Sequence, residues 1–196
     1  MDVQLNEQQM LIGNTANKYI SENYSFDFRN NLIQSQDGIC RKIWHSFAEM
    51  GWLGLPFKEE DGGLSGSAID VMVLMEAFGK GLIIEPFLSS ILLGGKCISE
   101  FGNSVQKSKY LKPLIEGKLL LSFAFAEPNS RFAFNHIETK AKKNNNLWKI
   151  TGSKCLVLGA DLADFIIIPA RVEGDTIDKN GINLFIIPRK SNGLQI

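Results

Sequence analysis

The reading of this chain turns on the stretch LLLSFAFAEPNSRF, residues 119–132. An apolar run of strand-like character stops at Glu127-Pro128, and a short polar loop follows. Taken alone, this could be the edge of any sheet. Glu127 reads equally as a solvated acid closing a strand and as a turn residue with a task of its own.

Outward from this point the two directions have different periods. Up to about Gly117 the chain reads as helices. Asn6 with Gln9 three residues on forms a capping box, and Ile12, Ala16, Tyr19 and Ile20 keep one face apolar. A second helix is predicted from about Asp37, with Ile39, Ile43, Trp44, Phe47 and Met50 on one stripe and Gly51 past its end. Ser67 and Asp70 make another capping pair. The AIDVMVLMEAFG that follows is apolar nearly all round, as a helix buried in a bundle requires. Further helices are predicted over 88–101 and 104–116, and the acids of EEDGG are expected to be exposed.

After Gly117 the period becomes two. Strands are predicted over LLLSFAFA, HIETKAKK, LWKITG, ADFIIIPAR and NLFIIPR, with Asn144, Asn145 and Asn146 as a hairpin turn. Helices first and strands second predict an α+β chain, a helical bundle over 1–117 followed by an antiparallel β-domain over 118–196. The sheet looks cut short at SNGLQI, so either the chain is part of something longer or another chain covers an open edge.

Composition narrows the function. Lys+Arg and Asp+Glu are 21 each, so net charge gives no argument for nucleic acid or an anionic membrane. The cluster Lys140, Lys142 and Lys143 reads as the solvated face of a hairpin rather than a phosphate patch. Cys40, Cys97 and Cys155 are far apart, without CxxC, and the two histidines, His45 and His136, have no ligand spacing; neither a disulfide framework nor a metal centre is expected. No signal peptide and no membrane span is read, and a reducing, cytoplasmic setting is expected. No GxGxxG follows a strand and no P-loop is present.

Four pieces, in order, resemble the acyl-CoA dehydrogenase family along essentially the whole chain. They are WHSFAEMGWLGLPFKEEDGG (44–63), MEAFGKG (75–81), YLKPLIEGKLLLSFAFAEP (110–128) and ITGSKCLVLGADLADFIIIPAR (150–171). The resemblance implies FAD, an acyl-CoA substrate dehydrogenated between its α and β carbons, an electron-transfer flavoprotein as partner, and a homo- or hetero-oligomer. AEPNSRF and the GxKxxVxxGAxxAD pattern look most like the small subunit of pimeloyl-CoA dehydrogenase and the heteromeric steroid-type subunits. No glutamate matches the family's catalytic base by motif, so the chain by itself is expected to be inactive.

The departures matter as much. Where the family has a Thr facing the flavin, this chain has Ala126, which leaves only a backbone contact. Its small Ala-Gly-Ser-Asp loop is replaced by NSRF, with Arg131 and Phe132, and its Trp-Ile-Thr by Leu156-Val157-Leu158. By this resemblance Phe123, Phe125, Ala126, Arg131, Leu156 and Leu158 contact the cofactor. Arg131 reads either as a solvated loop cation or as a donor to a phosphate or the flavin edge. Without the resemblance, Leu156 and Leu158 read as sheet core. The functional alternative is a non-catalytic partner subunit that buttresses a shared flavin, and a third reading is an α+β domain with no flavin at all.

Overall fold

The computed structural model describes residues 4–35, 38–131, 133–145 and 147–196. The expected start of the second helix at Asp37, Asn146 of the hairpin turn and Phe132 of the loop lie outside the described residues. The chain divides into two compact units, one of residues 1–87 and 95–119 and one of 88–94 and 120–196.

The first unit is helical. Helix α1 (Glu7–Asn23) opens on the expected capping box: Gln9 N donates to Asn6 Oδ1 at 2.8 Å and Asn6 N donates to Gln9 Oε1 at 3.0 Å. Its Ala16 and Ile20 are buried. Helix α2 (Phe26–Gln34) is absent from the sequence reading. It buries no residue fully: Phe28 and Leu32 are half-buried on one side while Phe26 and Ile33 are exposed on the other, so no single apolar stripe marks it, although Ser25 caps it by accepting from Phe28 N. Helix α3 (Arg41–Glu49) turns Ile43, Trp44 and Phe47 inward, and Gly51 follows in the left-handed region at φ 75°. Helix α4 (Ala68–Lys80) starts on the Ser67–Asp70 box. The sequence implies burial all round, but Ile69 and Met72 on its outer side are exposed.

Between these helices runs an aromatic core. Phe47 stacks on Phe78 with ring centroids 4.9 Å apart, and Trp52 meets both. Of the EEDGG acids, Glu59 and Glu60 are exposed as expected. Asp61 is not: Lys107 Nζ donates to its Oδ2 at 3.0 Å, and its side chain is largely covered.

The two later helices occupy the expected spans but are not uniform. The first runs as a π-helical segment, Phe87–Gly95, into α5 (Lys96–Phe101). The second runs from α6 (Ser104–Gln106) through a π-helical turn, Lys107–Leu111, into α7 (Lys112–Ile115). Widened turns of this kind leave the apolar pattern close to a helix's, so they are not visible in the sequence.

The second unit is a five-stranded sheet built of β1 (Leu121–Phe123), β2 (Lys140–Asn144), β3 (Leu147–Thr151), β4 (Phe165–Arg171) and β5 (Ile182–Pro188). The α+β class stands, but the sheet is mixed rather than antiparallel throughout. β4 pairs in parallel with β1 and with the start of β2, and antiparallel with β5, while β2 and β3 form the expected hairpin. The chain reaches β4 only after the hairpin, and that crossover makes β1 and β4 run the same way. β4 is buried along nearly its whole length, which is why FIIIPAR reads as an unbroken apolar run. Residues 88–94 belong here: Leu121 N donates to Ser90 Oγ at 2.8 Å, and a Cβ on Gly94 would lie 2.6 Å from the Cβ of Leu121.

One buried acid in the helical unit stands apart. Glu85 is 5% exposed, and neither carboxylate oxygen makes a well-formed hydrogen bond among the described residues, although the Tyr24 hydroxyl and main-chain amides of Cys40 and Ile84 lie close to it. Burial pushes its carboxyl above the ordinary glutamate range. A raised folded-state pKa means that stability is full below the unfolded value of about 4.3 and is lost as pH rises through the folded value. Glu85→Gln is therefore expected to stabilise the fold by about 1–3 kcal/mol at pH 8 and by far less at pH 4, measured by urea denaturation at both pH values.

Candidate cofactor site

The site is assembled from two stretches that flank the sheet. β1 ends at Phe123, and Ala124 N still donates to Ile167 O of β4 at 2.9 Å. The chain then leaves the ladder. Residues 155–158, which follow the hairpin, come alongside it: Cys155 N donates to Ala126 O at 2.9 Å, and Ser122 Oγ donates to Leu158 O at 2.7 Å. These two bonds set Phe123, Phe125, Ala126, Leu156 and Leu158 on apposed segments.

What they present is apolar and open. Leu156 is 85% exposed and Leu158 53%, so neither is sheet core; the Leu156 backbone sits at φ 52°, out of any strand. Phe125 is partly exposed, with its ring 5.7 Å from Phe123 on one side and 5.9 Å from Phe134 on the other. The main-chain amides of Phe125 and Ala126 donate to no group among the described residues. An apolar floor with donors along one margin suits a flat ring system that carries polar atoms on one edge.

The acid at the end of the strand now has an explanation. Glu127 is 3% exposed and is not solvated. Its Oε2 accepts from Glu138 N at 2.6 Å, while Oε1 accepts from Thr139 N at 3.1 Å and from Lys154 Nζ at 2.7 Å. Ser130 Oγ accepts from Glu127 N at 3.2 Å and donates to Glu127 O at 2.9 Å, which closes the turn. The carboxylate thus ties the end of the first floor segment to the root of the hairpin and to the start of the second. Burial by itself would raise its pKa, but the bonds from Lys154 and the amides of Glu138 and Thr139 outweigh that and hold it below the usual range. Burial lowers the Lys154 ammonium, and the facing carboxylate partly offsets the effect.

Arg131 lies on the turn after Glu127, at φ 50°, with its side chain exposed. No hydrogen bond, ion pair or ring contact joins it to the floor residues among the described residues. A long side chain in the left-handed region costs roughly 1 kcal/mol or more, and such strain gathers where a residue has a task. Two residues outside the sequence-based set belong to this neighbourhood. Phe134 extends the aromatic row, and its only signal is an apolar residue in a polar loop. Lys154 stands in the sequence only as the Lys of the GxKxxVxxGAxxAD pattern, which does not mark its partner 27 residues earlier. Arg171, at the end of β4, is a further buried charge; among the described residues its guanidinium donates to carbonyls alone, including those of Ile137, Asn135, Thr176 and Asn180. It thereby pins the loop between β4 and β5 to the residues before β2.

The apolar floor and the buried acid beside it make up the candidate site, and comparison with known proteins gives the family. Residues 6–118 match the model of the acyl-CoA dehydrogenase N-terminal domain, and residues 122–196 match the middle domain of the same family. The chain is 34% identical over 157 residues to a probable acyl-CoA dehydrogenase, YngJ, of Bacillus subtilis, covering 79% of this chain and 41% of that protein. It is 27% identical over 201 residues to an L-prolyl-[peptidyl-carrier protein] dehydrogenase of Serratia sp., covering 100% of this chain and 51% of that protein. Among solved structures, the FAD complex of PigA superimposes with a TM-score of 0.84 at 25% identity, over 98% of this chain and 51% of that one. The chain belongs to the acyl-CoA dehydrogenase family of oxidoreductases, and FAD is the cofactor that this membership carries. It spans about half the length of the relatives it matches. Among the described residues no helix is long and apolar enough to cross a membrane.

Removing one member of a buried ion pair leaves the other uncompensated. Lys154→Met is expected to cost about 3–5 kcal/mol at pH 7 by urea denaturation, and the double variant Glu127→Gln/Lys154→Met clearly less. The Glu127 pKa is depressed, so its contribution is present above the unfolded value of about 4.3 and is lost as pH falls through the folded one. The gap between wild type and Lys154→Met should accordingly narrow below about pH 4.

Proposed function

We propose that this chain forms the amino-terminal and middle parts of an FAD-dependent dehydrogenase that removes two hydrogens from the α and β carbons of an acyl thioester, with acyl-CoA as substrate. One observation carries this: the open apolar floor of Phe123, Phe125, Leu156 and Leu158, with amides at Phe125 and Ala126 that have no partner among the described residues. In this reading Phe123, Phe125, Leu156 and Leu158 supply the flat contact. The amides of Phe125 and Ala126 donate to the polar edge of the ring, in place of side-chain hydroxyls. Arg131 reaches a cofactor phosphate. FAD, when bound, supplies the hydride acceptor. The protein's task is to hold the thioester and its acceptor in register away from water, and no carboxylate of this chain is assigned as the base. The boundary between the two domains is placed at 117/118, and an electron-transfer flavoprotein is the electron acceptor. A cytoplasmic homo- or hetero-oligomer fits this reading.

The same departures favour a second reading. Ala126 and Leu158 remove the hydroxyls that the family places at the flavin, which suits a partner subunit that buttresses a flavin without turning over substrate. The Serratia relative, whose name gives a carrier-protein-linked substrate, aligns over the full chain and supports a thioester borne on a protein instead of on CoA.

The test is flavin binding followed by fluorescence quenching, with acyl-CoA-dependent dye reduction alongside. Leu158→Asp, which puts a charge on the floor, is expected to weaken FAD at least tenfold, about 1.4 kcal/mol, without changing the melting temperature of the flavin-free protein. Ala126→Pro, which deletes one amide donor, should do the same. FAD bound without dye reduction would favour the partner-subunit reading, and FAD affinity unmoved by both variants would remove the floor from the site.

A further inference from the structure

The β2–β3 hairpin carries a second surface that the flavin reading leaves unused. Strand register puts Lys140 opposite Thr151, Lys142 opposite Lys149, and Asn144 opposite Leu147. Directly paired residues share a face, so these six side chains form one side of the hairpin, and all six are exposed. The other side holds the buried Ala141 and the ring of Trp148, packed 5.3 Å from Phe185 of β5. The lysine side is therefore fixed in place from behind.

Its charges are unbalanced. Lys58, Lys80, Lys96, Lys107, Lys118 and Lys154 each have a carboxylate within ion-pair distance. Among the described residues Lys140, Lys142 and Lys149 have none, as is true of other lysines such as Lys18, Lys42 and Lys143; what sets these three apart is that they share one face. β3 is an outer strand, and one lysine there would suffice to discourage edge-to-edge aggregation. Two lysines placed directly opposite one another go beyond that need, because the pairing is itself unfavourable. At the tip of the same face Leu147 is 76% exposed, an apolar anchor beside the row of ammonium groups. An apolar anchor with a charged surround is the anatomy of a protein interface. A chain of zero net charge with so few phosphate contacts on this face would hold nucleic acid only weakly at physiological salt.

The geometry points to this face as the docking surface for an acidic carrier protein, one that presents a thioester on a phosphopantetheine arm. Carboxylates around the root of the arm, and its phosphodiester, would meet Lys140, Lys142 and Lys149, while Leu147 seats in an apolar dimple of the partner. The inference rests on the reading raised above by the Serratia relative, a thioester borne on a carrier protein in place of acyl-CoA, and names who delivers it. The hairpin grows out of the site itself, since Glu138 and Thr139, immediately before β2, donate their amides to Glu127. A carrier docked here would stand next to the structure that holds the floor.

The test titrates the flavin-loaded protein with a fluorescently labelled holo-carrier protein, following anisotropy at low salt and again at about 0.15 M, where charge steering is damped. Wild type should bind, and more weakly at the higher salt. Lys142→Glu/Lys149→Glu should lower affinity at least tenfold and Lys142→Gln/Lys149→Gln by less, with melting temperature and FAD affinity unchanged in both. No binding by wild type, or equal binding by the charge-reversed variant, would overturn the inference. So would equally tight, lysine-dependent binding of anionic vesicles or of single-stranded DNA. Carrier binding by a protein that takes up no FAD would support the docking face and count against the flavin reading alone.

Discussion

Everything around the floor depends on one buried carboxylate. Glu127 sits where β1 gives way to loop, and it gathers a lysine and two amides from segments that are distant in sequence. A charge in that position is tolerable only if fully matched, so the acid, the hairpin root and Lys154 must be in place together. The floor segments then follow: once Lys154 is anchored, Cys155 is one residue away and reaches Ala126. The apolar surface needs no strong bond of its own, because its two halves are clamped from beneath.

That division of labour separates what the floor presents from what holds it in place. In this structure the floor residues contribute surface and main-chain donors, while position is set by Glu127, Lys154 and Ser122. Ala126 and Leu158 lack hydroxyls, yet the backbone path through both is held by bonds that do not involve those side chains. Side-chain chemistry at the floor is thus uncoupled from its geometry.

Much of this was legible in the sequence, and the rest was hidden for definite reasons. Local signals succeeded: the Asn6 and Ser67 caps, the turn at Gly51, the hairpin after Asn144 and the apolar run of β4 all act within a few residues. Partnerships across long separations did not announce themselves. The parallel alignment of β1 with β4 depends on where the intervening chain goes, and the Glu127–Lys154 pair joins residues that each look solvated in isolation. Leu156 and Leu158 misled a composition-based reading, because an apolar residue is assigned to the core by default. Only the resemblance gave a reason to read them otherwise, and both are exposed.

The crossover of the sheet has a consequence for the order of events in folding. β1 cannot meet β4 until the hairpin and the residues after it have been made, and each floor bond spans a comparable loop. Closing such loops costs entropy before any contact rewards it, so long-range parallel pairing comes late relative to the helices. The helical unit, rich in local contacts, can form while the sheet is still open. The apolar floor between Phe123 and Leu158 is then among the last surfaces to appear.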